Sequence, residues 1–173
     1  MRDMKIRKMV LAALMAALTY VATMVVQIPS PMQGYVNLGD CSVLLSGWIL
    51  GPWWGSAAAG IGSMLTDLLN GYAHYAPGTL VIKALDAIVA ALIVKALGRK
   101  PYAYAVGGLV GEIIMVVGYF FYASLILGKG LAAAASIPGN IVQGIAGVTI
   151  GMALAMVLQK TKSSVIRGFN MQQ

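Results

Sequence analysis

Isolated charged residues interrupt a long apolar stretch between Tyr35 and Asp86, and their types are the first sign of chemistry in this sequence. The stretch carries Asp40, Asp67 and Lys83 before it ends at Asp86. A charged side chain at a bilayer centre costs at least about 2.5–3.5 kcal/mol, so ionisable groups inside a membrane segment are functional-site candidates. Carboxylates and an ammonium in such surroundings predict a pocket for a polar solute.

The composition places these charges in a membrane protein. The chain has 173 residues, of which 60% are hydrophobic and 10% charged, and its mean hydropathy is +0.83. Soluble domains are roughly 45–50% apolar and about 25% charged. Since a spanning helix takes about 20 residues, we expect one membrane domain over residues 1–173. The expected fold class is an all-α integral membrane protein with six transmembrane helices and both termini cytoplasmic.

Glycine and proline clusters divide the apolar sequence into these six helices. The predicted helices cover about 6–26, 39–50, 56–69, 79–97, 104–127 and 132–158. Residues 27–38 and 70–78 are predicted to be outside loops. Pro138 and Gly139 predict a kink or a late start in the last helix.

The net charge of +7 arises from basic residues at alternate ends of successive helices, the positive-inside pattern. These residues are Arg2, Lys5, Arg7 and Lys8, then Lys95, Arg99 and Lys100, then Lys160, Lys162 and Arg167. No basic face with interleaved aromatic residues remains, which argues against nucleic acid as a partner. The single Cys41 has neither a disulfide partner nor the spacing of a metal site, so no metal and no cofactor is expected.

Most of the strongly polar residues fall in the outer half of the predicted helices or in the outside loops, at about 1.5 Å of rise per residue. This asymmetry predicts a pocket that opens outward and is sealed below. The candidate solute-binding residues are Gln33, Tyr35, Asn37, Asp40, Asp67, Tyr72, His74, Tyr75, Lys83, Asp86, Glu112, Tyr119, Tyr122, Asn140 and Gln143.

Several of these candidates also have a purely structural interpretation. Lys83 and Asp86, at i and i+3, share a helix face and can neutralise each other. Asp40 can cap the second helix, and Asn140 with Gln143 can hold neighbouring helices together. Glu112 has no cation on its own helix, so it must be neutral or paired across helices.

The first helix carries small residues at intervals of four. Ala12 with Ala16, and Ala13 with Ala17, form a flat strip on which another helix can pack closely. The partner can be another helix of this chain or a separate subunit.

The run LGDCSVLLSGWILGPWWGSAAAGIGSMLTDLL followed by GYAHYAPGTLVIKALDA resembles the substrate-capture (S) component of energy-coupling-factor (ECF) vitamin transporters. The likeness is to the branch with riboflavin-type and hydroxymethylpyrimidine- or pyridoxine-type members. It implies a six-helix fold in a prokaryotic cell membrane, a small-molecule vitamin site under the loops, and no catalysis. It also implies that the alanine strip docks on a transmembrane coupling subunit, itself joined to two cytosolic ATPase subunits. The sequence has no G-x-x-x-x-G-K-[ST] loop of its own.

Riboflavin-type members tend to show Asp-x-Ser-Asp-x-Pro where this chain has NLGDCS from Asn37 to Ser42. The preferred solute is therefore pyridoxine or hydroxymethylpyrimidine, with a riboflavin-specific S component as the alternative. A self-sufficient secondary transporter, an intramembrane enzyme and a purely structural subunit are the rival classes. No nucleophile–base pair supports the enzyme, and no inverted repeat supports the secondary transporter.

Overall fold

Helices form most of the chain, as the long apolar runs predict. The structure, a computed structural model, describes residues 2–30 and 34–160. Its α-helices are α1 (Arg2–Val25), α2 (Asp40–Leu69), α3 (Ala76–Ala96), α4 (Pro101–Phe121) and α5 (Ile137–Lys160). Within the described residues, four helical segments are long and apolar enough to cross a membrane: Met4–Val25, Ala76–Ala96, Pro101–Ile126 and Gly130–Lys160.

Helix α2 is interrupted at Gly51, whose φ of 80° and ψ of 178° are not helical. This combination is open essentially to glycine alone. Pro52 follows, and its fixed φ suits the first turn of a new helix. The interruption divides α2 into a first arm, residues 40–50, and a second arm, residues 52–69. The two arms correspond to the predicted helices 39–50 and 56–69, the second of which begins earlier than predicted.

The two arms of α2 pack against each other. A side chain at Gly55 would collide with the backbone of Ser46 in the first arm. Val43 and Ala59, one from each arm, belong to the same buried cluster as Ala87 of α3. Because residues 16 positions apart in a continuous helix would lie about 24 Å apart, the chain must reverse direction at Gly51.

A small β-hairpin lies where the sequence predicted an outside loop. Strands β1 (Gln27–Ser30) and β2 (Gly34–Asn37) pair antiparallel, with Gln27 opposite Asn37 and Ser30 opposite Gly34. The prediction of an all-α chain is therefore wrong in this segment. The prolines and glycine of the segment suggested a loop, yet Ile28 and Val36 favour extended backbone and face each other in the register.

Prolines set the starts of two helices earlier than predicted. Pro77 and Pro101 each stand in the first turn of their helix, where the missing N–H costs nothing. The helical segment from α4 continues as a π-helix over Tyr122–Ile126. A 3₁₀-helix over Gly130–Ser136 precedes α5, so the α-helix itself starts late, beside Pro138.

The main apolar core occupies the end of the bundle that contains the Gly51 turn. Trp48 is 4% exposed and its ring meets that of Tyr104 edge-on at 5.1 Å. Around them pack Leu44, Leu45, Ala90, Val94, Ala103, Val148 and Ala155. This cluster contains no charged side chain, so the bundle is apolar at this end and polar toward the β-hairpin.

Replacing Gly51 with alanine should destabilise the protein by about 1–3 kcal/mol, because the backbone conformation at this position is strained for any residue with a Cβ. Unfolding of the detergent-solubilised protein, followed by tryptophan fluorescence, measures the change. Ala57→Ser, at an exposed position of the second arm, should change stability by no more than about 0.5 kcal/mol. An unaltered transition in Gly51→Ala would contradict the sharp turn.

Candidate functional site

A cavity of about 50 Å³ lies between the β-hairpin and the polar end of the helix bundle. All five α-helices contribute side chains to its wall, and Tyr119 is the contribution of α4. The lining residues are Thr23, Ser30, Gly34, Tyr35, Asn37, Ser63, Asp67, Tyr75, Thr79, Lys83, Tyr119, Ser136, Asn140 and Gln143. The structure thus brings together Tyr35, Asn37, Asp67, Tyr75, Lys83, Tyr119, Asn140 and Gln143 from the predicted set.

A buried polar network lies beneath this cavity and joins its lining residues Asn37, Lys83 and Gln143 to Asp40, which does not line the cavity itself. The Lys83 ammonium of α3 makes an ion pair with one carboxylate oxygen of Asp40, the first residue of α2. The other Asp40 oxygen accepts a hydrogen bond from Gln143 Nε2 of α5 at 2.8 Å. Gln143 Oε1 in turn accepts a hydrogen bond from the backbone N–H of Asn37 at 2.8 Å. One carboxylate therefore connects three helices with strand β2.

This network corrects two sequence-based interpretations. The predicted pairing of Lys83 with Asp86 is wrong, because no hydrogen bond joins the two side chains. The Lys83 ammonium instead pairs with Asp40 on another helix. Asp40 is also not a capping residue: Gly39 occupies the N-cap position and no side chain caps the helix.

One wall of the cavity carries a second carboxylate, Asp67, near the end of the second arm of α2. Asp67 is 3% exposed, and its Oδ1 accepts a hydrogen bond from the Tyr35 hydroxyl at 2.6 Å. Burial, together with the adjacent Asp67, raises the pKa of Tyr35 above its ordinary value. The phenol therefore keeps its proton and remains the donor, which ties β2 to this wall.

Tyr119 provides the opposite aromatic surface. Its hydroxyl donates to Thr79 Oγ1 at 3.0 Å, and the Lys83 ammonium lies 5.7 Å from its ring centroid. A cation at this distance is attracted electrostatically to the face of the aromatic ring. The cavity thus combines one flat aromatic wall with hydrogen-bonding groups, an arrangement that suits a planar polar ring.

Aromatic side chains cover the cavity on the β-hairpin side. Ring centroids are 4.7 Å apart for Tyr35 and Tyr72, 6.4 Å for Tyr72 and His74, and 4.8 Å for His74 and Tyr75. The Tyr122 hydroxyl donates to the His74 carbonyl at 2.9 Å. Tyr72, His74 and Tyr122 do not line the cavity themselves, so they act on it only through this cover.

Asp86 and Glu112 lie outside the cavity, although both are predicted site residues. They are 0% and 5% exposed, and none of their carboxylate oxygens has a hydrogen-bonding partner. Glu112 lies against Gly144 and Gly147 of α5, where Asp40 also packs. No set of three or more His, Cys, Asp or Glu side chains in residues 2–30 and 34–160 is arranged to hold a metal ion. Predicted site residue Gln33 lies outside the described residues.

Small hydroxyl residues complete the lining, and sequence reasoning missed them. Thr23, Ser30, Ser63, Thr79 and Ser136 all contribute to the cavity wall. A signal was present in the sequence, because Ser63 and Asp67 are four residues apart and share one helix face.

The alanine strip of α1 borders a separate apolar groove of about 570 Å³ between α1 and the second arm of α2. Ala12 is buried against Leu50 and Ala58, whereas Ala13 and Ala17 are exposed. The groove is lined by Met9, Ala12, Ala13, Ala16, Ala17, Tyr20, Trp54, Ala57, Ala58, Ile61, Leu65 and Leu69. One side of the strip therefore packs internally and the other faces outward.

Lys83→Met should lower the free energy of unfolding by about 3–5 kcal/mol, because it leaves the Asp40 carboxylate buried without its cation. The double variant Lys83→Met/Asp40→Asn should recover most of this loss, since no charge then remains unpaired. Lys95→Met, at an exposed position near the end of α3, is the matched control and should be nearly neutral. Strictly additive effects in the double variant would show that the two side chains do not interact.

A family model and two relatives each match most of this chain. The model of the family described as ECF-type riboflavin transporter, S component, matches residues 3–160. An uncharacterised protein of Pyrococcus woesei is 39% identical over 142 residues, covering 81% of this chain and 93% of that protein. The thiamine precursor transporter HmpT of Lactococcus lactis subsp. cremoris is 27% identical over 171 residues, covering 98% and 96%.

A solved S component of a bacterial ECF transporter has the same fold. It superposes with a TM-score of 0.70 at 18% sequence identity, and the match covers 92% of this chain and 99% of the other. The family match and the apolar helices show that this chain is a multi-pass protein of the prokaryotic plasma membrane. As an S component it is a substrate-binding transport subunit that associates with an ECF module. The chain belongs to the S-component family of ECF-type riboflavin transporters.

Proposed function

We propose that this S component captures a small single-ring vitamin precursor, hydroxymethylpyrimidine or pyridoxine, at the cavity beneath the β-hairpin. The size of that cavity carries the proposal. Its volume of about 50 Å³ accommodates only a few water molecules. A one-ring solute needs modest side-chain displacement to fit, whereas a three-ring flavin needs much more. The name of the Lactococcus relative, a thiamine precursor transporter, also supports a pyrimidine.

Riboflavin is the second candidate, since the matching family model is described as a riboflavin transporter component. Its tricyclic ring and ribityl chain would require the β-hairpin to separate from the helices. That separation would break the Tyr35–Asp67 bond and the bond from the Asn37 backbone to Gln143. The present geometry therefore favours the smaller solute.

The proposed topology has six membrane crossings, with the two arms of α2 counted separately and both chain ends in the cytoplasm. Under the positive-inside rule, the basic residues in the first two turns of α1 and at the end of α3 mark the cytoplasmic side. The β-hairpin and the aromatic cover then face the outside, where solute enters. The apolar core around Trp48 and Tyr104 closes the path toward the cytoplasm.

The proposed partner of the alanine groove is the transmembrane coupling subunit, which would carry two cytosolic ATPases. A groove bordered by small residues lets another helix approach closely. Ala13 and Ala17 line it and stay exposed. Ala16 is only half-buried, and its carbonyl lies where a side chain at Gly62 would be, so it also supports the internal packing of α1 on α2.

Isothermal titration of the purified protein should show binding of hydroxymethylpyrimidine or pyridoxine, and weaker or undetectable binding of riboflavin. Mass spectrometry of small molecules released from the purified protein gives an independent identification. Binding of riboflavin alone would overturn the choice of solute. Uptake that survives ATP depletion would instead favour a self-sufficient secondary transporter.

Asn140→Ala should weaken solute binding by about 1–3 kcal/mol, the usual cost of removing a buried hydrogen-bond partner. Asn140 lines the cavity, and no hydrogen bond to another described residue holds its side chain. Gln143→Ala should also lower stability, because Gln143 bridges Asp40 and the β-hairpin. Asn70→Ala, whose side chain contacts Met24 away from the cavity, should leave affinity unchanged. Equal affinity in Asn140→Ala and wild type would remove Asn140 from the site.

Ala17→Leu should prevent co-purification with the ECF module while leaving solute binding by the isolated protein intact. The larger side chain fills the groove from its exposed side, so it should block close helix approach without disturbing the interior. Ala153→Leu makes the same change at an exposed position of α5 outside the groove and should assemble normally. Normal assembly of Ala17→Leu would exclude the groove as the docking surface.

A further inference from the structure

We infer that Asp67, assisted by Ser63, selects solutes that present an N–H donor on the ring, such as an exocyclic amino group beside a ring nitrogen. This inference rests on the proposed capture of a single-ring precursor and adds the group that determines specificity. It requires an acceptor that the protein itself leaves unused, in a position the solute can reach.

The Asp67 carboxylate has such an unused acceptor. Tyr35 donates to Oδ1, whereas Oδ2 is buried and accepts no hydrogen bond. The Thr79 hydroxyl interacts with the Asp67 carboxylate, but it leaves Oδ2 without a hydrogen bond. Because an unsatisfied buried acceptor costs free energy, a donor from the solute would compensate this cost. Asp67 lines the cavity, so the donor would come from a molecule bound there.

Ser63 provides the second unused group, one helical turn below Asp67. Most hydroxyls on the helices donate to a carbonyl three or four residues earlier, as Thr19, Ser46 and Thr66 do. The Ser63 hydroxyl is also buried, yet it makes no hydrogen bond. It lines the same cavity and can donate to a ring nitrogen or to a hydroxyl oxygen. A carboxylate acceptor beside a hydroxyl donor complements an amino group beside a ring nitrogen.

The rest of the lining does not provide this combination. The Asp40 carboxylate does not line the cavity, and it is occupied by Lys83 and Gln143. The Tyr119 hydroxyl is occupied by Thr79. Asn140 can donate or accept, so it tolerates either type of group on a solute. In the ionised form that this inference requires, the Asp67 carboxylate only accepts hydrogen bonds. Asp67 is then the lining group that distinguishes a solute with an N–H donor from one without it.

The test compares two ligands that differ only in the donor: 4-amino-5-hydroxymethyl-2-methylpyrimidine and its analogue without the amino group. The full-length protein should bind the amino compound about 10- to 100-fold more tightly, the range expected for a hydrogen bond to a charged acceptor. Equal affinity for the two compounds would overturn the inference while leaving the proposed capture intact. Binding of neither compound would overturn the inference, and pyridoxine titrated in parallel decides the proposed capture, which fails only if pyridoxine does not bind either.

Asp67→Asn should remove this preference. With the Tyr35 O–H donating to the amide oxygen, the amide NH₂ would face the solute and oppose its amino group. Affinity for the amino compound should fall about 10- to 100-fold, whereas affinity for the analogue should stay within about threefold. A parallel loss for both compounds would show that Asp67 acts only on the structure. The wild-type comparison of ligands remains decisive even where the variant does not fold.

Asp86→Asn is the matched control, because Asp86 is a buried carboxylate without hydrogen-bonding partners that does not line the cavity. It should change affinity for the two pyrimidines by the same factor and preserve their ratio. Ser63→Ala should reduce binding of both compounds, since the ring nitrogen is common to them. A changed ratio in Asp86→Asn would assign the discrimination to the buried charges beneath the cavity and overturn the role of Asp67.

Discussion

The polar half of this protein depends on the two interactions of the Asp40 carboxylate. Its two oxygens are shared between the Lys83 ammonium and the Gln143 amide, and that amide also holds the backbone of strand β2. Each of these groups would be costly to bury alone. Joined in one chain of contacts, they fix the start of α2, the face of α3 and the face of α5 around a common point. The cavity is the space above that point.

The sequence predicts the helices well because their signals are local. Apolar runs of sufficient length, with glycine or proline between them, allow few alternatives in a bilayer, and Gly51–Pro52 marks the reversal of α2. The β-hairpin escaped prediction because its strands are four residues long and contain Pro29. Such short strands have little stability alone, and the hairpin depends on tertiary bonds to Gln143 and Asp67 that no local pattern reports.

The site was predictable in its residue types and less so in its pairings. Charges inside apolar helices pointed to Asp67 and Lys83, which line the cavity, and to Asp40 beneath it, because ionisable groups inside a membrane segment are costly. Spacing within α3 favoured Asp86 as the partner of Lys83. The actual partner depends on how α3 packs against α2, and spacing within one helix gives no information about that packing. Ser63 was overlooked because serine, like glycine and alanine, is common where two membrane helices pack closely. Its sequence context therefore suggested helix packing and not solute binding.

The short first arm of α2 has a consequence for how deep the solute lies. Eleven residues at about 1.5 Å each extend only about 16 Å, roughly half the hydrocarbon thickness of about 30 Å. In the proposed topology, with the Gly51 turn near the cytoplasmic membrane surface, the first arm would reach only to Asp40 near the bilayer midplane, and the chain before Asp40 would complete that crossing. A solute bound above Asp40 as proposed would therefore have crossed about half of the membrane before any partner subunit acts. The local bilayer must thin, or water must enter, to match so short a segment.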